Sequence, residues 1–145
     1  GFVLGSAGAF LLLEAADHAA ARNARALARL HPVASIRTRR APGSVGSALA
    51  EAWAELDSPR PDAVLSGATG LHPITADEMT ALADLAPGAP VHATGDLFGH
   101  TMEAQAIAGA ALATALVAAG TAGDVAVTSV GHRRGEGVVR IATPG

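Results

Sequence analysis

The order of apolar runs and chain breakers predicts an α/β domain, a mixed sheet covered by helices. Short apolar runs bounded by Gly and Pro recur along the chain, and segments with helical spacing alternate with them. At the end, two β-like segments flank a loop rich in Gly and Arg.

Residues 9–14 are apolar after a Gly-rich approach and predict a first strand, which flows into a helix ending near Asn23. Residues 26–38 alternate loosely and predict a second strand. Ala41-Pro42-Gly43-Ser44 is turn chemistry, and in residues 47–56 Leu49, Trp53 and Leu56 share one helical face. Pro59 and Pro61 end that helix. Residues 62–67 predict a short buried strand of the parallel type, followed by the loop Gly67-Ala68-Thr69-Gly70. Thr75-Ala76-Asp77-Glu78 reads as a capping box opening a helix that runs to about Leu85. Pro87, Gly88 and Pro90 close it, residues 91–94 predict the next strand, and a long Ala-rich helix is expected from Thr101. Residues 125–130 and 137–142 predict the last strands. Ligand-facing loops belong at the carboxyl ends of strands, which singles out residues 66–70, 95–100 and 131–136.

The 145 residues, half of them hydrophobic, are one domain's worth of sequence, expected to be globular and soluble. Net charge is −3, the ten basic residues are all Arg, and they scatter apart from Arg37, Arg39, Arg40 and the pair Arg133 and Arg134. With 3% aromatic residues there is neither a basic stripe nor a stacking platform, so nucleic acid is not an expected partner. Absence of Cys excludes a disulfide framework and a thiolate metal site within the segment, and the His spacing offers no zinc motif. The apolar stretch 102–119 carries Glu103, Gln105, Gly109 and Thr114 and reads as a buried helix rather than a membrane span. The chain opens Gly1-Phe2-Val3-Leu4 without a secretory signal; it is expected to be cut from something longer and to be cytoplasmic.

Gly5-Ser6-Ala7-Gly8 lacks dinucleotide-loop spacing and precedes a strand instead of following one, and no Gly-x-Ser-x-Gly elbow occurs. The pair Gly99-His100 stands out more, since it is expected between a strand and the first turn of the long helix. Unsatisfied N–H groups and a partial positive field there bind anions and favour a neutral imidazole. The same pair also suits a capping or packing histidine.

Residues 1–14, the 65–70 loop, the Gly-His segment and the terminal Gly-rich hairpin occur in one consistent order that resembles the C-terminal half of a β-ketoacyl-acyl-carrier-protein synthase. The resemblance implies a thiolase-like half domain, a five-stranded mixed sheet covered by helices, in a protein whose other half supplies an acyl-accepting cysteine. The second half of such enzymes supplies two histidines that support decarboxylation of malonyl carrier protein and stabilise the developing charge.

Carried over by position, the resemblance implies His100 as the catalytic residue and Ser66, Thr69, Gly131 and His132 as substrate contacts. His100 matches the second histidine, whereas Ser66 stands where the first would be. Gly95 replaces the family's lysine, Ser6 an acidic residue of the opening segment, and Gly109 the acid that follows the Gly-His histidine. These losses are mutually coherent, because a buried lysine without its carboxylates would be a costly unpaired charge. His132 replaces the phenylalanine that gates the acyl pocket. It and the following arginines suit a solvated turn, or binding of carrier-protein acids or phosphopantetheine. Glu103, one turn after His100, is a candidate acid or acceptor, or a helix-start acid that favours the dipole.

The leading expectation is a divergent synthase that condenses an acyl thioester with malonyl carrier protein in fatty acid or polyketide-like biosynthesis. Its rivals are a non-catalytic partner resembling a chain-length factor, and an acyltransferase that does not decarboxylate. The implied partners are an acyl carrier protein and a second ketosynthase chain, as homodimer or heterodimer. No metal or nucleotide cofactor is implied, since acyl groups would arrive on phosphopantetheine.

Overall fold

In the computed structural model residues 3–56, 60–133 and 135–145 are described. The helix stop at Pro59, the first two residues of the opening segment and Arg134 lie outside them. The elements are α1 (Ala16–Ala21), β1 (Arg29–Leu30), β2 (Ala34–Ile36), α2 (Ser44–Ala54), β3 (Ala63–Ser66), α3 (Ile74–Leu85), β4 (Val91–Ala93), α4 (Gly95–Phe98), α5 (Gln105–Ala118), β5 (Asp124–Val130) and β6 (Glu136–Ala142), with a 3-10 turn at Met102–Ala104 before α5.

The strands form one sheet in the order β1-β6-β5-β3-β4, and β2 also pairs with β6. β1 and β2 lie end to end along β6, Arg29 opposite Ala142 and Ala34 opposite Val138. They are the expected second strand, interrupted at residues 31–33, where His31 N still donates to Arg140 O at 3.0 Å and Pro32 has no N–H to give. The sheet is therefore five strands wide, and mixed. β3 runs parallel to β4 and β5, whereas β6 runs antiparallel to β5 and to the split edge.

Alternation along the strands sorts two cores. Val64 and Ala126 face Trp53 of α2 and Leu82 of α3, while Leu65, Val125 and Val127 face Ala110, Ala113 and Val117 of α5. β3 is buried along its whole length, as expected for a strand covered on both faces. Each fully buried Leu or Val here contributes roughly 1.5–3 kcal/mol by leaving water. Because β3, β4 and β5 are parallel, their carboxyl ends gather the 66–70, 94–100 and 131–133 segments on one side of the sheet.

Several expectations are corrected. Residues 9–14 form no strand: Phe10 is 97% and Leu12 89% exposed, while Leu11 is half-buried against the α5 core. The alternation of a strand is present, but no sheet edge of the described residues meets it. α2 begins at Ser44 rather than Ser47, after Gly43 turns the chain at φ 74°. Thr75 and Glu78 form no capping box. α3 starts at Ile74 without a side-chain cap, Thr75 Oγ1 accepts from Gly70 N at 3.1 Å, and Glu78 is turned into the core. Hydroxyls on β3 and β5 claim the carboxyl group that a cap would have turned back. The long helix begins at Gln105, not Thr101, because the chain first makes the α4 turn and the 3-10 turn.

Candidate functional site

β3 ends at Ser66, which is completely buried. Its Oγ accepts from Ala68 N at 2.9 Å and donates to Glu78 Oε1 at 2.7 Å. Thr128 of β5 donates to the same oxygen at 2.6 Å and accepts from Gly67 N at 3.2 Å. Burial pushes the Glu78 pKa up, and the Thr128 and Ser66 hydrogen bonds only partly oppose it. Ser66 thus gives its proton inward, to Glu78, and is not presented to a substrate.

A second buried chain runs from β4 to the Gly-His segment. Thr94 donates both its N–H and its hydroxyl to Ser66 O, each at 2.9 Å. Gln105 Nε2 donates to Thr94 Oγ1 at 2.6 Å, and Gln105 Oε1 accepts from Thr101 N at 2.9 Å and Thr101 Oγ1 at 2.8 Å. Gln105 therefore fixes the peptide that follows His100.

His100 does not stand at a helix N-terminus. Its N–H donates to Val3 O at 2.7 Å and its carbonyl accepts from Gly5 N at 3.0 Å, so its amide is not open to an anion. The two segments cross at glycines: a Cβ on Gly5 would lie 1.7 Å from Phe98 O, and one on Gly99, at φ 69°, would lie 2.8 Å from Gly5 N.

Above this crossing the loops converge. The His100 and His132 rings stack with centroids 4.5 Å apart and planes at 28°. His132 Nε2 lies 3.5 Å from Thr69 Oγ1. Gly131, beside His132, donates to Gly135 O at 2.8 Å and accepts from Arg40 Nη2. Thr69, His100, Gly131 and His132 are thus brought together, and Ser66 lies in the buried layer with Glu78. Burial lowers the His100 pKa, the His132 charge lowers it further, and Glu103 raises it. Glu103, exposed on the 3-10 turn, acts on His100 through that charge. The cluster offers a neutral imidazole covered by a second ring. Among the described residues no group of three or more His, Cys, Asp or Glu is arranged to hold a metal ion, and no helix is long and apolar enough to cross a membrane.

Gly95 and Gly109 have no room for side chains. A Cβ at Gly95 would meet Ala68 O at 2.5 Å, and one at Gly109 would meet Val127 Cγ1 at 2.8 Å. Gly95 allows the backbone of α4 to press on the loop after β3, and Gly109 allows α5 to press on β5.

Solved structures share this architecture. A type II polyketide acyl-carrier protein in complex with its ketosynthase bound to the hexaketide, AntDE:AntF, superimposes with TM-score 0.76 at 12% identity over 91% of this chain and 42% of that one. The ishigamide ketosynthase/chain length factor gives TM-score 0.76 at 18% identity over 90% of this chain and 41% of that one. The chain has a ketosynthase-like, thiolase-like fold. An oxazolomycin ketosynthase domain of Streptomyces albus gives 0.70 at 15% identity over 88% of this chain and 47% of that one. The chain spans less than half the length of these structures. No family model and no curated protein matches it in sequence.

Sequence reasoning missed Glu78, Thr94, Gln105 and Thr128, which build the layer beneath the loops, and the ion pair of Arg40 with Glu136, which ties the last loop down. A signal was there for some: Glu78 lies between Ala76 and Met79 in an amphipathic helix, and Gln105 opens a helix in which Thr114 is the one other polar side chain.

Proposed function

We propose that this chain is the C-terminal half of a ketosynthase-fold protein that serves as a non-decarboxylating partner of an active synthase, in the manner of a chain-length factor, in fatty acyl or polyketide-like biosynthesis. The hydrogen bond from Ser66 to Glu78 carries this reading. Decarboxylation of a malonyl thioester generates an enolate, which needs donors aimed at the thioester oxygen. At the position of the first histidine the hydroxyl is buried and its proton goes to Glu78. The lysine and acid positions, Gly95 and Gly109, have been closed by Ala68 and Val127.

The partners in this reading are an active ketosynthase and an acyl carrier protein, with acyl groups borne on phosphopantetheine and no other cofactor. Neighbours of similar fold that are ketosynthase/chain length factor assemblies, or a carrier protein with its ketosynthase, support that choice. The exposed Phe10, Leu12 and Leu13 support an N-terminal half that covers this face.

The second reading is a divergent β-ketoacyl synthase, or an acyltransferase without decarboxylation, that uses a cysteine outside this segment. The environment that holds His100 neutral favours it, since a neutral ring can donate to a thioester oxygen. Assay of decarboxylation and condensation by the full-length protein, beside His100→Ala and with a neighbouring synthase added, separates the two. Activity only with the added synthase, insensitive to His100→Ala, is expected; activity alone that falls with the substitution would overturn the partner reading.

A further inference from the structure

We infer that Arg40 and Glu136 form a buried positioning pair that holds Gly131 so that the adjoining His132 ring lies over His100. The Glu136 side chain is fully buried, and Arg40, four-fifths covered, is ion-paired with it. The same guanidinium donates through Nη2 to Gly131 O, the carbonyl that precedes His132. Arg40 therefore ties Gly131 to Glu136, while Gly131 N donates to Gly135 O at 2.8 Å.

The elements on either side are fixed. Glu136 opens β6, opposite Val130 of β5 and Ile36 of β2, and Arg40 lies on the connection from β2 to α2. The chemistry asks for arginine in particular. A planar guanidinium sets its spread charge beside a carboxylate while one of its N–H groups goes to a carbonyl, whereas an ammonium on a flexible stem offers one point charge. A buried glutamate without its partner would be an uncompensated charge, so the two residues stand or fall together. Either reading of the function leaves this role intact, because it concerns how the His132 ring is carried.

Arg40 acts on His100 only through His132, and the test reads that ring. Titratable or charged groups on the segments around His100 are His132 and Arg133 on the turn, Glu103 on the 3-10 turn, Asp96 on α4 and Arg40 itself. Histidine NMR titration of the full-length protein, with the His100 signal assigned by its loss in His100→Ala, is applied to Arg40→Lys, His132→Ala and the double variant. Arg40→Lys keeps a charge beside Glu136 but gives up the second contact. It should raise the His100 pKa by about 0.5 unit or more as the covering ring moves away. His132→Ala should raise it comparably, and the double variant no further than His132→Ala alone. Should Arg40→Lys fail to fold, Arg40→Met with Glu136→Gln, which leaves no buried charge, carries the same titration. A His100 pKa unmoved in the folded Arg40 variant, or shifts that add in the double variant, would overturn the assignment.

Discussion

Ser66 and Thr128, on β3 and β5, both donate to one oxygen of Glu78, which reaches them from α3. A carboxyl group with no solvent exposure holds the helix layer to two neighbouring strands. Burial is the larger influence on this group and pushes its pKa up, so the folded state favours the protonated acid.

Above the unfolded carboxylate pKa and below the raised folded one, the native protein holds a proton that the unfolded chain has released. Stability from this source is complete below the unfolded value and falls as pH rises toward the folded one. Glu78→Gln, with an amide oxygen to accept both hydroxyls, should unfold within about 1 kcal/mol of the parent in acid and be the more stable of the two at pH 8. Glu78→Leu removes the acceptor from two buried hydroxyls and should cost about 2–4 kcal/mol in acid, and less at pH 8, where the parent has lost the stability linked to the Glu78 proton. Urea denaturation across a pH series checks this; a constant parent-to-Gln difference would mean that Glu78 does not titrate in that range.

The two closely packed glycines, Gly95 and Gly109, should differ in their tolerance of a methyl group. At Gly95 the obstacle is a backbone carbonyl, Ala68 O, which cannot turn aside, so Gly95→Ala should cost about 2–3 kcal/mol. At Gly109 the obstacle is a Val127 methyl, and alanine also gains about 1 kcal/mol of helix propensity, so Gly109→Ala should cost less. Thermal unfolding of both variants ranks them, and the reverse order would contradict the packing described for α4 and α5.

The residues that made the fold legible are those whose burial follows from local pattern. Val64 and Leu65 in an unbroken apolar run, and Leu49 and Trp53 at helical spacing, lie where periodicity puts them. Failures came where a distant partner decides. Glu78 has capping-box spacing, yet hydroxyls twelve and fifty residues away claim it. Residues 9–14 alternate like a strand, but strand formation needs an edge that periodicity does not reveal. That Thr69, His100, Gly131 and His132 come together was legible because loops at the carboxyl ends of parallel strands converge. The link from Arg40 to Glu136 joins the connection after β2 to the start of the last strand, and no local signal marks it.

His100 lies between opposing influences, and each can be removed separately. His132→Phe takes away a charge that lowers the His100 pKa but keeps an aromatic cover, so the pKa should rise. Glu103→Gln takes away the charge that raises it, so the pKa should fall. The two shifts should run in opposite directions. The parent ring, with its pKa below the ordinary value of about 6.5, resists protonation while the unfolded chain accepts it. His100 therefore subtracts stability as pH falls from 6.5 through its folded pKa. Shifts of the same sign in both variants would refute these electrostatic roles.

The segment before α1 offers a contrast between neighbours. Leu11 packs against the core of Val117 and Ile141, whereas Phe10 and Leu12 point to solvent. In this chain by itself Leu11→Ser should cost about 1–2 kcal/mol, by loss of half-buried apolar contact. Phe10→Ser and Leu12→Ser should stay within about 0.5 kcal/mol and reduce self-association, because exposed contiguous apolar residues promote it. In a longer protein whose preceding half covers this face, Phe10→Ser should instead cost about 3 kcal/mol, as truncation of a buried aromatic does. Denaturant unfolding of Phe10→Ser in both lengths of chain decides. A small cost in both would mean that nothing covers Phe10, and the proposed N-terminal half would then have to dock elsewhere.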